Sequence, residues 1–168
     1  MLAGAWLNAA PDHRAVLIAT AQPWDDEMRE RIARHQLDRA QRVPGMATVE
    51  EPLALGAVLR QHSAPHTLVV VDCLTLWLTN QLMPADPTQA ASVDGLQAAC
   101  HALCGAVEAA RGPVVLVGNE IGLGVIPMGR EVRAFVDALG QLNQAVAAAC
   151  DRVTLMAAGL PLVLKGVA

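Results

Sequence analysis

The sequence predicts an α/β domain built on a mostly parallel central sheet flanked by helices. Two observations carry this expectation. Residues 15–19 (AVLIA), 68–71 (LVVV) and 113–117 (PVVLV) are short apolar runs that read as strands, and the last two, apolar without alternation, as strands buried on both faces of a parallel sheet. Longer stretches of helical periodicity separate them. A chain of 168 residues suits one domain, 1–168, with a sizeable core. No internal repeat or linker interrupts it.

The elements follow in order. The first strand stops at Thr20-Ala21-Gln22. Asp25 is a good helix N-cap, and Asp26 and Glu27 suit the positive end of the helix that follows. On that helix Met28 and Ile32 share one face, while Glu27, Arg31 and His35 share another. A second helix is expected over 53–61. The run 68–71 ends in Asp72. Residues 82–92 form a loop bearing Pro and Asp, and 93–111 read as a helix with Leu96, Leu103 and Val107 on one stripe. The strand 113–117 closes in Gly118-Asn119-Glu120, followed by the glycine-rich turn GLGVIP. In the helix over 131–150, Val132, Phe135, Val136, Leu139, Leu142 and Val146 keep the 3.6-residue period. Residues 153–156 and 162–164 are closing strands.

Composition narrows the function. The apolar fraction is 54 %, but there are only three Trp, one Phe and no Tyr. That is an aliphatic interior and a poor platform for stacking nucleic-acid bases. A net charge of −4 gives no general attraction for a polyanion, so any phosphate chemistry must be local. Cys73, Cys100, Cys104 and Cys150 form no C-x-x-C pair and read as reduced thiols. Cys100 and Cys104, one turn apart around His101, lack the remaining ligands of a metal site. No run approaches the roughly 18 apolar residues of a membrane span, and the first residues carry no secretory pattern. The expected location is the cytoplasm.

Three places carry chemistry. Asp72 ends a strand where nucleotide-binding α/β folds hold Mg²⁺, though an acid there is equally an ordinary turn cap. His35 stands near a helix end among Arg31, Arg34 and Arg39. A neutral imidazole can attack phosphorus, and the arginines could stabilise phosphate charge. Pattern alone favours a solvated helix face of mixed charge. His13, His62, His66 and His101 have no comparable setting. The G-x-G at Gly122 and Gly124 lacks the rest of a dinucleotide fingerprint; Glu120 and Arg130 are the polar residues around it.

Several segments together resemble the bifunctional adenosylcobinamide kinase / adenosylcobinamide-phosphate guanylyltransferase family of cobalamin biosynthesis. They are IATAQPWDDEMRERIARH (18–35), TVEEPLAL (48–55), VVVDCLTLWLTN (69–80), VVLVGNEIGLGVIP (114–127), Arg130 and the tail from 139 to 166. The resemblance implies a RecA-like, P-loop-type sheet and a homotrimer. It implies two reactions: phosphorylation of adenosylcobinamide by ATP or GTP, then GMP transfer from GTP to adenosylcobinamide phosphate through a guanylylated histidine. By its place in the RI-x-x-H segment that residue is His35. The resemblance also implies nucleotide contacts at Ala19, Thr20 and Ala21, at Gln36, Leu37, Asp38 and Arg39, at Glu50, and at Asp72, with Mg²⁺ near Asp72.

Two departures stand out. The family opens with a strand and a G-G-x-R-S-G-K-S phosphate loop, which these 168 residues do not contain; the one lysine is Lys165. The expectation is that about 15–20 residues, a strand plus phosphate loop, are absent, through either a late-assigned start or loss of the loop. It follows that kinase activity should be weak or absent, the fold less stable, and the Asp72 strand left with an unpaired edge. After Pro127 the chain reads Met128-Gly129 where the family has Glu-Asn. The alternative reading is a nucleotide-binding remnant or assembly subunit without catalysis.

Overall fold

The computed structural model describes residues 2–166, which fall into two compact units that divide between Asn119 and Glu120. In the first unit the elements are α1 (Leu2–Ala9), β1 (Arg14–Ala19), α2 (Asp26–Arg42), β2 (Ala47–Glu50), α3 (Leu55–His62), β3 (Thr67–Asp72), α4 (Leu74–Leu82), α5 (Val93–Glu108) and β4 (Val114–Val117). The four strands form one parallel sheet in the order β2-β1-β3-β4. The expected α/β class with a parallel sheet is therefore the class observed.

The core follows from the strand period of two. On one face Ala15 and Leu68 meet Ala3 of α1, with Trp6, Leu7, Val70 and Val115 packed around them. Ile18, Val69 and Val71 alternate to the other face and are fully buried. The helix α3 packs on β1 and β3 and brings Leu55 and Leu59, which are equally buried. On its outer side α3 packs on α5 so closely that a Cβ on Gly56 would stand 2.8 Å from the Ala102 carbonyl oxygen.

Three expectations need correction. The Asp72 strand has no unpaired edge: β1 pairs with β3 on one side and β4 on the other, and the edges of the sheet are β2 and β4. An edge strand is covered less, so β4 is half-buried along Val114–Leu116 and exposed at Val117, where burial on both faces is expected from its apolar run. The segments 153–156 and 162–164 do not close the parallel sheet. They pair with each other as a separate antiparallel hairpin. Neither β2, with its short polar sequence ATVE, nor α4 is legible as an element beforehand. The loop over 82–92 includes a single 3₁₀ turn, Pro87–Gln89, capped by Asp86.

In the second unit α6 (Arg130–Ala149) buries Leu139, Leu142 and Val146 of its predicted stripe. The hairpin β5 (Val153–Ala157) and β6 (Leu160–Lys165) turns at Ala158 and Gly159, whose φ values of 52° and 79° make the two-residue turn that matches strand twist. Lys165 Nζ donates to the carbonyls of Ala147 and Ala148, both at 2.9 Å, neutralising the negative end of α6.

Candidate functional site

The parallel strands end level with one another. Ala19 stands beside Glu50 on one side and Asp72 on the other, and Asp72 stands beside Val117. The usual strand spacing of about 4.8 Å places the backbones of Glu50 and Asp72 roughly 10 Å apart across Ala19. Both acids are exposed. This rim lies beyond the carboxyl ends of the strands, where open α/β sheets take their ligands.

Thr20 forms the floor below the rim. It is fully buried. Its Oγ1 donates to the Cys73 carbonyl at 2.8 Å and accepts the Cys73 N–H at 2.9 Å. Its own N–H donates to the Asp72 carbonyl at 3.1 Å, and its carbonyl accepts Asn80 Nδ2 at 2.7 Å. The Thr20 side chain is thus spent on holding β1 to the end of β3, while Ala19 and Ala21 beside it are half-buried. Burial pushes the Cys73 thiol above its ordinary range, and the neighbouring Asp72 charge adds to this, so a neutral thiol lies next to the rim.

A second strap holds the loop after β2. Glu51 Oε1 accepts the N–H groups of Leu53 and Ala54 at 2.8 and 2.7 Å, while the Glu51 N–H reaches the Ala19 carbonyl at 3.0 Å. From α4, Trp77 Nε1 and Gln81 Nε2 donate to the Leu53 carbonyl at 2.9 and 3.0 Å, and Asn80 Nδ2 reaches Pro52. Sequence reasoning missed these three residues. The signal was present: positions 77, 80 and 81 put three side-chain donors on one helical face. At the far end of the rim the Asn119 N–H donates to Thr75 Oγ1 at 3.1 Å, tying the start of the glycine-bearing turn to α4. In the second unit, Asn143 Nδ2 donates to Glu120 Oε2 at 3.2 Å, and Arg133 holds the Pro127 and Met128 carbonyls.

The helix α2 buries none of its residues. Its start is as expected: Asp25 Oδ1 accepts the Met28 N–H at 2.7 Å, and Arg29 pairs with Asp26. His35 is exposed and lines a shallow depression of about 370 Å³ with Glu27, Glu30, Arg31 and Arg34, all from this one helix. The next residue links the helix to the rim, since Gln36 Nε2 donates to Glu50 Oε1 at 3.3 Å. Successive helical residues turn by about 100°, so the run 36–39 is divided. Asp38 and Arg39 follow His35 by three and four positions and share its side of the helix. Leu37 points elsewhere and is 66 % exposed.

For a cation, the rim offers one exposed carboxylate, Asp72, with Glu50 two strands away. One carboxylate suits Mg²⁺, which fills most of its shell with phosphate oxygens and water. Among the described residues no helix is long and apolar enough to cross a membrane.

Comparison with known proteins gives a consistent result. A family model described as cobinamide kinase / cobinamide phosphate guanyltransferase matches residues 2–164. The bifunctional adenosylcobalamin biosynthesis protein CobP of Pseudomonas aeruginosa is 48 % identical over 149 residues, covering 89 % of this chain and 81 % of that one. The bifunctional adenosylcobalamin biosynthesis proteins CobU of Escherichia coli and Salmonella typhimurium are 33 % and 34 % identical, covering 90 % and 97 % of this chain and 86 % and 91 % of theirs.

Proposed function

Since the chain belongs to the cobinamide kinase / cobinamide phosphate guanyltransferase family, we propose that it assembles the nucleotide end of adenosylcobinamide in cobalamin biosynthesis, with His35 as the residue that carries GMP. In this reading GTP lies along the rim from Asp72 past Ala19 and Ala21 to Glu50 and Gln36, within reach of Asp38 and Arg39. The corrinoid substrates are adenosylcobinamide, phosphorylated from ATP or GTP, and adenosylcobinamide phosphate, which accepts GMP.

The observation that supports this best is the setting of His35. It is exposed, it shares an open depression with two arginines, and its helix is tied at the next residue to the rim. A nucleophile needs that access, and a triphosphate needs those cations. Neutral His35 attacks the α-phosphorus. A P–N bond forms as the P–O bond to pyrophosphate breaks, and pyrophosphate leaves with its electron pair. A phosphate oxygen of the cobinamide phosphate then attacks the same phosphorus, and the imidazole leaves. Arg31 and Arg34 offset the charge that builds on the phosphoryl oxygens. Glu27 and Glu30 line the same depression. Asp72 would hold Mg²⁺, which neutralises the triphosphate and eases departure of pyrophosphate.

Assembly as a homotrimer and a cytoplasmic location belong to the same proposal. Exposed Leu160, Leu162 and Leu164 on β6 leave apolar surface for contact between copies.

The test is intact mass spectrometry after incubation with GTP and Mg²⁺, run beside His35→Ala. A GMP-sized adduct on the unaltered chain that disappears in the variant is expected. No adduct would favour a nucleotide-binding protein without turnover, and an adduct that survives in the variant would move the nucleophile to another residue.

A further inference from the structure

At the end of the sheet opposite the rim, the starts of β1 and β3 bring three potential ligands together. Asp12 and His13 precede β1, and His66 precedes β3. The two strand starts are laced to each other, since the Arg14 N–H donates to the His66 carbonyl at 2.8 Å. Asp12, His13 and His66 each offer a ligand atom within 4.8 Å of the others, the one such trio among the described residues. We propose that these three residues form a binding site for a divalent transition-metal ion of the zinc class.

The ring of His13 is held in place by Trp6 through a hydrogen bond and a stack. Its Nδ1 lies 2.8 Å from the Trp6 carbonyl. A carbonyl only accepts, so Nδ1 carries the proton and Nε2 is left with a free lone pair. The ring also stacks on Trp6, with centroids 3.8 Å apart and planes 6° from parallel. Trp6 is fixed in turn, its Nε1 donating to the Arg14 carbonyl at 3.0 Å. A backbone carbonyl behind a stacked imidazole sets tautomer and direction before any ion arrives. A plain surface ion pair between Asp12 and His66 needs none of this.

The spacing also fits. Bonds of about 2.0–2.1 Å in a tetrahedron place ligand atoms about 3.4 Å apart. His66 Nδ1 and Asp12 Oδ2 are already 3.6 Å apart. Both side chains are more than half exposed, so they can turn inward without disturbing the core, and solvent supplies the fourth position. Two imidazoles and one carboxylate favour zinc-like ions over Mg²⁺ or Ca²⁺, which take oxygen ligands. The length of β1 puts the trio about 20 Å from the rim. The ion would therefore staple the two strand starts and take no part in phosphoryl chemistry.

The experiment titrates the full chain, stripped of metal by EDTA, with Zn²⁺ in competition with a chromogenic chelator. Co²⁺ absorption reports the coordination, and circular dichroism checks each variant's fold. Expected is one equivalent of Zn²⁺ per chain, with affinity falling more than about tenfold in both His66→Gln and Asp12→Asn. Cys100→Ser should bind like the unaltered chain, and Zn²⁺ should raise the melting temperature of the unaltered chain but not of His66→Gln. GMP loading with Mg²⁺ should be the same in all of them. Absence of Zn²⁺ binding, affinity unchanged in both ligand variants, or binding lost in Cys100→Ser would overturn the proposal.

Discussion

Thr20→Val isolates one interaction of the rim, because valine keeps the shape and removes only the hydroxyl. In the folded protein that hydroxyl both donates to the Cys73 carbonyl and accepts the Cys73 N–H, at 2.8 and 2.9 Å, in a position with no solvent exposure. The variant leaves both backbone groups of Cys73 without that partner. A lost hydrogen bond costs about 0.5–1.5 kcal/mol, and a buried donor left unpaired costs about 1–3 kcal/mol. The expected loss is therefore about 3 kcal/mol, or roughly 6–12 °C in melting temperature for a chain of this size. Denaturant unfolding followed by tryptophan fluorescence is the assay, since Trp6, Trp24 and Trp77 all lie in the first unit. Thr20→Ser is the control. It keeps the hydroxyl and loses a methyl group, at about 1 kcal/mol. A Val variant within about 0.5 kcal/mol of the unaltered chain, or a Ser variant as damaged as the Val variant, would refute the reasoning. The first result would mean the hydrogen bonds contribute nothing, and the second that packing alone matters. Because Cys73 follows Asp72, GMP loading should fall with stability in Thr20→Val and recover in Thr20→Ser.

Further outcomes follow from single features. Gly56→Ala should destabilise the first unit by about 1–3 kcal/mol in the same fluorescence assay, because its Cβ would meet Ala102 backbone that cannot move aside freely. His35→Ala should change stability by less than about 0.5 kcal/mol while removing the GMP adduct, since nothing is buried on α2. Burial raises the thiols of Cys73, Cys100 and Cys104 above the ordinary cysteine range. The folded chain then keeps protons that the unfolded chain has released. This contribution to stability is complete below the ordinary thiol range, at about pH 8, and is lost as pH rises through the folded values. Unfolding midpoints measured in reductant should be level near neutrality and fall in the alkaline range; a rise there would contradict the assignment.

Much of this protein is written locally. The apolar runs of β1 and β3 declare buried strands, Asp25 declares the start of α2, and the spacing of Leu139, Leu142 and Val146 declares the buried side of α6. These are periodic or capping signals carried by residues within a turn or two of each other, so they survive without knowledge of what lies opposite. The segment holding His35 is legible for the same reason, as a contiguous motif. Other features belong to the tertiary structure. The polar ATVE becomes β2 only because the backbone of β1 stands ready to pair with it, at Ala19↔Glu50 and the rungs before it. The apolar β4 is half-exposed because it lies at an edge, and β5 and β6 form a sheet of their own because a two-residue turn pairs each with the other. The buried Thr20 side chain serves Cys73, and the straps from Trp77, Asn80 and Gln81 serve a loop far away in sequence. His13 and His66, unremarkable where they stand in the chain, meet because parallel strands begin at one end of a sheet as well as finishing at the other. Local periodicity determines which segments form elements; the pairing of distant backbone groups decides which side chains share a site.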